Sequence, residues 1–146
     1  MPATARDLLA MKNSAVVYTC APETTVAEAC RVLRERRVGC LVVARGGAVE
    51  GIFTDRDVVV GVVAAGLDPA RTTVADVMAR DVEVAPLDLP VGDVESTLRR
   101  RRARHLPVVG ERGLLGLVSL GDVARYYALV ERAGRSLPQA VAAAPH

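Results

Sequence analysis

The sequence predicts an α+β fold that uses one small unit twice with pseudo-twofold symmetry, each copy a small antiparallel or mixed sheet with two helices. Three observations predict it. Residues 17–59 and 82–124 align without a gap at a constant offset of 65, Val17 falling on Val82. Within each copy, apolar residues recur first with helical spacing and then in paired extended runs. A glycine-containing turn separates the two runs of each copy, the mark of a hairpin. Repeats of this size usually mean one structural unit used twice. Each copy, at about 60 residues, is marginal for folding alone, so the halves of the 146-residue chain are expected to share a core. Similar units packed face to face leave equivalent crevices at their junction, and small ligands favour such clefts.

Residues 4–11 form an expected helix that Thr4 caps and Leu8 and Leu9 dock. Residues 73–78 resemble it at an offset of 69, Thr4 falling on Thr73 and Asp7 on Asp76, so the first copy carries about four extra residues near 12–15. An extended piece follows in each copy, 16–19 and 82–84, running on to Pro22 and Pro86. Next comes an amphipathic helix, with Val26, Ala29, Cys30 and Leu33 at i, i+3, i+4, i+7. Its counterpart stripe is Val91, Val94 and Leu98, with Glu95 intruding. Strands are expected at 41–44 and 49–53, and at 106–109 and 114–118. Pro107 cannot donate a ladder hydrogen bond, so it should open its strand or face an edge. A second helix is expected to begin at Asp57 and at Asp122, the first stopping at Gly66 as a C′ residue. Residues 67–70 link the copies. The expected organisation is a first unit over 1–68 including the opening helix, a second over 69–132, and a tail over 133–146.

Composition narrows the function. The net charge of +2 is not that of a dedicated nucleic-acid binder. The longest near-apolar run, 58–67, is about half a membrane span. Residues 1–12 lack the pattern of a signal peptide, and a cytoplasmic protein with no membrane partner is expected. The cysteines, Cys20, Cys30 and Cys40, are odd in number and form no CxxC, which argues against a disulfide framework and a standard zinc site. They read as small buried apolar residues, the other reading being a metal site with His105 or His146.

One motif carries possible chemistry. Each copy ends its hairpin with Gly-apolar-apolar-hydroxyl-x-x-Asp: Gly51-Ile-Phe-Thr54-Asp-Arg-Asp57, and Gly116-Leu-Val-Ser119-Leu-Gly-Asp122. A hydroxyl followed three residues later by an acid, at a strand-to-helix junction, is also a capping box. Such a cap contributes about 0.5–2 kcal/mol and requires no ligand.

The tandem motif, together with Arg104-His105-Leu106-Pro107-Val108, resembles the CBS domain, whose units occur in pairs called Bateman modules. The resemblance covers about residues 5–130, and residues 54–69 are similar to small stand-alone bacterial two-unit members. It implies a regulatory module, not an enzyme, that needs no cofactor and binds AMP, ATP or another adenosine derivative between its units. It also implies that Asp57 and Asp122 accept hydrogen bonds from ribose hydroxyls. A carboxylate suits a cis-diol because it offers two acceptor oxygens and charge-assisted bonds. Thr54 and Ser119 match the hydroxyl that contacts ribose or phosphate, at helix starts that favour anions. Carried across, site A combines Thr54, Arg56 and Asp57 with Val82, Glu83, Val84, Arg104 and His105. Site B combines Ser119 and Asp122 with Val17, Tyr18, Thr19, Val38 and Gly39. Arg104 and His105 match the family's phosphate-binding basic pair in reversed order. Gly39 and Cys40 stand at the same offset in the first copy, so site A is expected to prefer a phosphorylated nucleotide and site B to be weaker, empty or filled by an uncharged adenosine group. A homodimer is expected, with an effector protein reading the liganded state.

Other readings are weaker. The alternative for the whole chain is a stand-alone stress-response interaction module without nucleotide, metal-linked through its cysteines. Residues 99–104 carry five arginines but no aromatic platforms, so they read as a solvated helix end rather than a nucleic-acid surface. No serine has a recognisable base partner, and the Gly46-Gly47 turn lacks the P-loop Lys-Ser/Thr pair. Arg56 between Asp55 and Asp57 is expected to pair or screen them, which does not suggest acid-base work.

Overall fold

The computed structural model describes residues 2–12 and 17–136. The elements run α1 (Ala5–Met11), β1 (Thr19–Cys20), α2 (Val26–Arg36), β2 (Cys40–Arg45), β3 (Ala48–Thr54), α3 (Asp55–Val58) with a π turn (Val59–Val63), α4 (Val74–Val77), β4 (Ala85–Pro86), α5 (Val91–Arg101), β5 (His105–Gly110), β6 (Gly113–Ser119) and α6 (Leu120–Ser136). The described strands form two three-stranded sheets, ordered β1-β2-β3 and β4-β5-β6. The first is mixed: β1 runs parallel to β2, and β2 antiparallel to β3. Gly46 and Gly47 turn its hairpin with φ of 58° and 85°, values that suit glycine.

The compact units are not the sequence repeats. One is built on Val17–Glu83 with Arg112–Leu114, and the other on Met1–Val16, Val84–Glu111 and Leu115–His146. The helix α1, expected in the first unit over 1–68, belongs to the second repeat's unit. Ala5 and Leu8 are buried there with Val91, Val94, Leu98, Leu106, Val108 and Val118. Conversely, Val74 and Met78 complete the core of Val26, Ala29, Leu41, Val43, Phe53 and Val62. The expected common core is therefore two cores, each holding the opening helix of the other repeat.

Backbone hydrogen bonds fix this exchange identically in both units. Ala5 N donates to Leu89 O (2.8 Å) and Arg6 N to Leu87 O (3.0 Å). Their counterparts are Val74 N to Thr24 O (2.8 Å) and Ala75 N to Pro22 O (3.1 Å). Return bonds close each junction, Val91 N to Ala3 O (3.0 Å) and Val26 N to Thr72 O (2.8 Å).

Three expectations need correction. The extended piece at 82–84 is not a strand, since β4 begins only at Ala85. Pro107 supplies the reason. In the first sheet Val42 N donates to Tyr18 O (3.0 Å), and Thr19 pairs with Val42. Pro107 stands where Val42 does, has no N–H, and leaves β4 paired only from Val108 onward. Pro107 thus neither opens β5 nor lies on an edge strand; a very short partner strand tolerates it inside the central one. Finally, the second helices begin at Asp55 and Leu120, two residues earlier than expected, so Asp57 and Asp122 sit in the first turn rather than at the start. The extended residue Val16 and the tail over 137–146 lie outside the described residues.

Candidate functional site

The two motif acids are fixed by their own helix starts. Thr54 N donates to Asp57 Oδ2 at 2.9 Å, and Asp57 N donates back to Thr54 Oγ1 at 3.2 Å. In the other unit Ser119 N donates to Asp122 Oδ2 at 2.9 Å, and Asp122 N to Ser119 Oγ at 3.1 Å. Each is a complete capping box, so the cap reading holds for both. The opening helices carry the same spacing: Thr4 N donates to Asp7 Oδ2 (2.8 Å) and Thr73 N to Asp76 Oδ2 (3.0 Å). Burial separates the four acids. Asp7 and Asp76 are exposed, Asp57 is half-buried, and Asp122 is buried.

A glycine in each motif clears the way for the exchanged helix. A Cβ at Gly116 would stand 2.5 Å from Leu9 Cδ2, and one at Gly51 would stand 2.7 Å from Met78 Sδ. Leu9 and Met78 are equivalent positions at the offset of 69. The glycine, hydroxyl and acid thus form one device that seats a foreign helix and starts the next.

The surroundings of the two acids differ. Asp57 makes its capping bonds, and among the described residues no cation pairs with it; Arg56 is exposed and does not pair with Asp55 or Asp57 as expected. Asp122 carries an ion pair. Lys12 Nζ lies 3.0 Å from Asp122 Oδ2 and also donates to Leu117 O at 2.7 Å. Arg125 Nη2 approaches Asp122 Oδ1 at 3.6 Å. Lys12 was missed from the sequence because it falls where the two copies lose alignment.

The compact units divide both expected sites. Thr54, Arg56, Asp57, Val82 and Glu83 of site A lie in the first repeat's unit, and Val84, Arg104 and His105 in the second's. For site B, Val17, Tyr18, Thr19, Val38 and Gly39 lie in the first and Ser119 and Asp122 in the second. Within the first unit, Gly39 O accepts from Asp55 N (3.0 Å), which ties Gly39 to the Thr54 turn. Tyr18 holds a second unforeseen cation, with the Arg36 guanidinium 5.3 Å from its ring centroid. Arg104 is exposed and His105 half-buried.

The cysteines are free thiols, and Cys40 is buried. Burial pushes the Cys20 thiol up to about 11 and raises that of Cys30. Both pack against the first unit's core. Among the described residues, no three His, Cys, Asp or Glu side chains are grouped to hold a metal. Among them also, no helix is long and apolar enough to cross a membrane.

Comparison with known proteins places this arrangement. The CBS domain profile matches residues 5–63 and 74–129. The chain is 31% identical over 121 residues to the CBS domain-containing protein YhcV of Bacillus subtilis, covering 83% of this chain and 86% of that protein. It is 30% identical over 125 residues to Hypoxic response protein 1 of Mycobacterium tuberculosis, 84% of each chain. The crystal structure of Hypoxic Response Protein I with two coordinated zinc ions matches with a TM-score of 0.72 over 84% of this chain and 98% of that one, at 30% identity. The CBS domain pair of MJ0100, solved in complex with 5-methylthioadenosine and S-adenosyl-L-methionine, shares the fold with a TM-score of 0.73 at 24% identity, over 88% of this chain and 98% of that one. Two profile matches in tandem, on the two repeats that the capping acids and their glycines define, make this chain a CBS domain pair, a regulatory module of the CBS family.

Proposed function

We propose that this CBS pair senses an adenosine-containing nucleotide, with Asp57 as the carboxylate that grips the ribose. The single observation that carries the reading is the state of Asp57. Its Oδ2 is fixed by Thr54 N–H, while Oδ1 is not spent in the cap. The side chain is half-buried and has no paired cation among the described residues, so it is oriented but still able to accept. A ribose diol supplies the donors such a group lacks. Thr54 and Arg56 stand beside it in the same unit for the sugar and phosphate. Asp122, capped by Ser119, is the corresponding acid of the second repeat's unit.

The readout is a change in association. The π turn exposes Val59 (60%), Val60 (57%) and Val63 (70%), and Leu67 beside it is 46% exposed. Apolar side chains this open on one short segment suit burial against a second copy, and a homodimer is the proposed assembly. A ligand biases its shape only by its differential affinity for two states. An effector protein would read that bias.

A thermal-shift panel of AMP, ATP, S-adenosylmethionine, NADH and zinc on the wild-type protein and Asp57→Asn tests this. A binding nucleotide at a hundredfold excess over its Kd adds about 2.7 kcal/mol of stability. Stabilisation by an adenosine ligand that Asp57→Asn abolishes is expected. Stabilisation by zinc alone would favour the metal-linked interaction module instead.

A further inference from the structure

We propose that Lys12 closes the second site, so that each chain binds one nucleotide, through Asp57, rather than two. The inference rests on the nucleotide reading above and adds a residue that decides which acid is free to act.

The two motif acids have the same cap and different company. Asp122 Oδ2 accepts from Ser119 N–H and from Lys12 Nζ at 3.0 Å. Its Oδ1 faces the Arg125 guanidinium at 3.6 Å. The side chain retains 11% of its exposure, and that of Lys12 26%. With Oδ2 taken twice and Oδ1 facing a guanidinium, the carboxylate cannot offer both oxygens to a ribose diol unless the ammonium leaves. The ammonium is itself anchored, since it also donates to Leu117 O at 2.7 Å. Moving it forfeits two partly buried bonds, and hydrogen bonds to charged groups are the stronger ones.

Among the described residues, no cation guards Asp57 in the same way. At the offset of 69 the counterpart of Lys12 is Asp81, an acid that cannot neutralise a carboxylate. Lys12 reaches Asp122 because α1, which it caps at the C-terminal end, is seated in the second repeat's unit. The exchange of opening helices therefore delivers a cation to Asp122, while the corresponding position after α4 carries an acid, Asp81.

The test is calorimetric titration of AMP and of adenosine into the wild-type protein, Asp57→Asn, Lys12→Met and Lys12→Met/Asp57→Asn, with Lys12→Gln replacing Lys12→Met if the latter does not fold. Expected are one site per chain in wild type, at least a tenfold loss in Asp57→Asn, a second site in Lys12→Met, and one regained site in the double variant. A full site retained by Asp57→Asn would overturn the closure. So would a double variant that binds nothing while Lys12→Met keeps its first site. AMP binding to Asp57→Asn that Lys12→Met removes would make Lys12 a phosphate ligand and also overturn it. Silence from all four proteins, with either ligand, defeats the nucleotide reading itself and the closure with it.

Discussion

Gly51 and Ala79 lie so close that a Cβ on the glycine would stand 2.5 Å from the alanine carbonyl oxygen. The contact is held by a reciprocal pair of backbone bonds, Ile52 N to Ala79 O (3.1 Å) and Ala79 N to Ile52 O (3.0 Å). The three atoms nearest such a Cβ on the equivalent Gly116 all belong to the Leu9 side chain, Cδ2 at 2.5 Å, Cδ1 at 3.1 Å and Cγ at 3.3 Å. Backbone cannot yield without losing those bonds, whereas a leucine end can rotate. Gly51→Ala is expected to cost about 2–3 kcal/mol and Gly116→Ala about 1 kcal/mol, within the range for overpacking. Urea denaturation measures both, and equal losses would contradict the distinction.

Arginines occupy a conformation that favours glycine at two equivalent positions. Arg37 and Arg102 have φ of 55° and 52°. Each ends a helix in a Schellman arrangement, with Val38 N donating to Leu33 O (3.2 Å) and Ala103 N to Leu98 O (3.0 Å). Left-handed backbone disfavours a residue with a Cβ. Arg37→Gly and Arg102→Gly are each expected to stabilise by about 0.5–1 kcal/mol after the added freedom of the unfolded chain is counted. Thermal melts should rise by roughly 1–4 °C. A fall in both would mean that the arginine side chains contribute more than the backbone costs.

Burial of a thiol predicts the alkaline limb of stability. Cys20 is held protonated in the folded chain up to about 11, against 9.0 ordinarily. Between these values the unfolded chain binds fewer protons than the folded one, so stability falls as pH rises. The contribution is complete below the unfolded value and gone once pH passes the folded one. Burial shifts Cys30 and Tyr126 in the same direction. Cys20→Ala should flatten the decline between pH 9.0 and 11 in chemical denaturation. An unchanged slope would show that Cys20 is not the group responsible.

The parts of the fold legible in the sequence are those fixed by local chemistry. The helix stripe of Val91, Val94 and Leu98 is buried as its spacing requires, and Glu95 within it is turned to an i,i+4 pair with Arg99. The strand positions and the Thr54–Asp57 and Ser119–Asp122 boxes follow from turn and cap residues. Periodicity says that α1 has an apolar face, but not which sheet receives it, so the helix exchange stayed hidden. The delayed start of β4 depends on a donor that Pro107 lacks on another strand. Lys12 had no counterpart of its own kind to mark it, and Arg36 over Tyr18 joins α2 to the residue just before β1, with no motif in common.

The central claim is that Asp57 recognises the ribose of an adenosine nucleotide. Calorimetry with AMP and 2′-deoxy-AMP, on the wild-type protein and on Asp57→Asn, tests it most directly. Removing one charge-assisted bond costs about 1.5–3 kcal/mol, so wild type should prefer AMP by roughly tenfold or more, and Asp57→Asn should lose most of that preference. Equal affinity of the wild-type protein for the two nucleotides would contradict the claim.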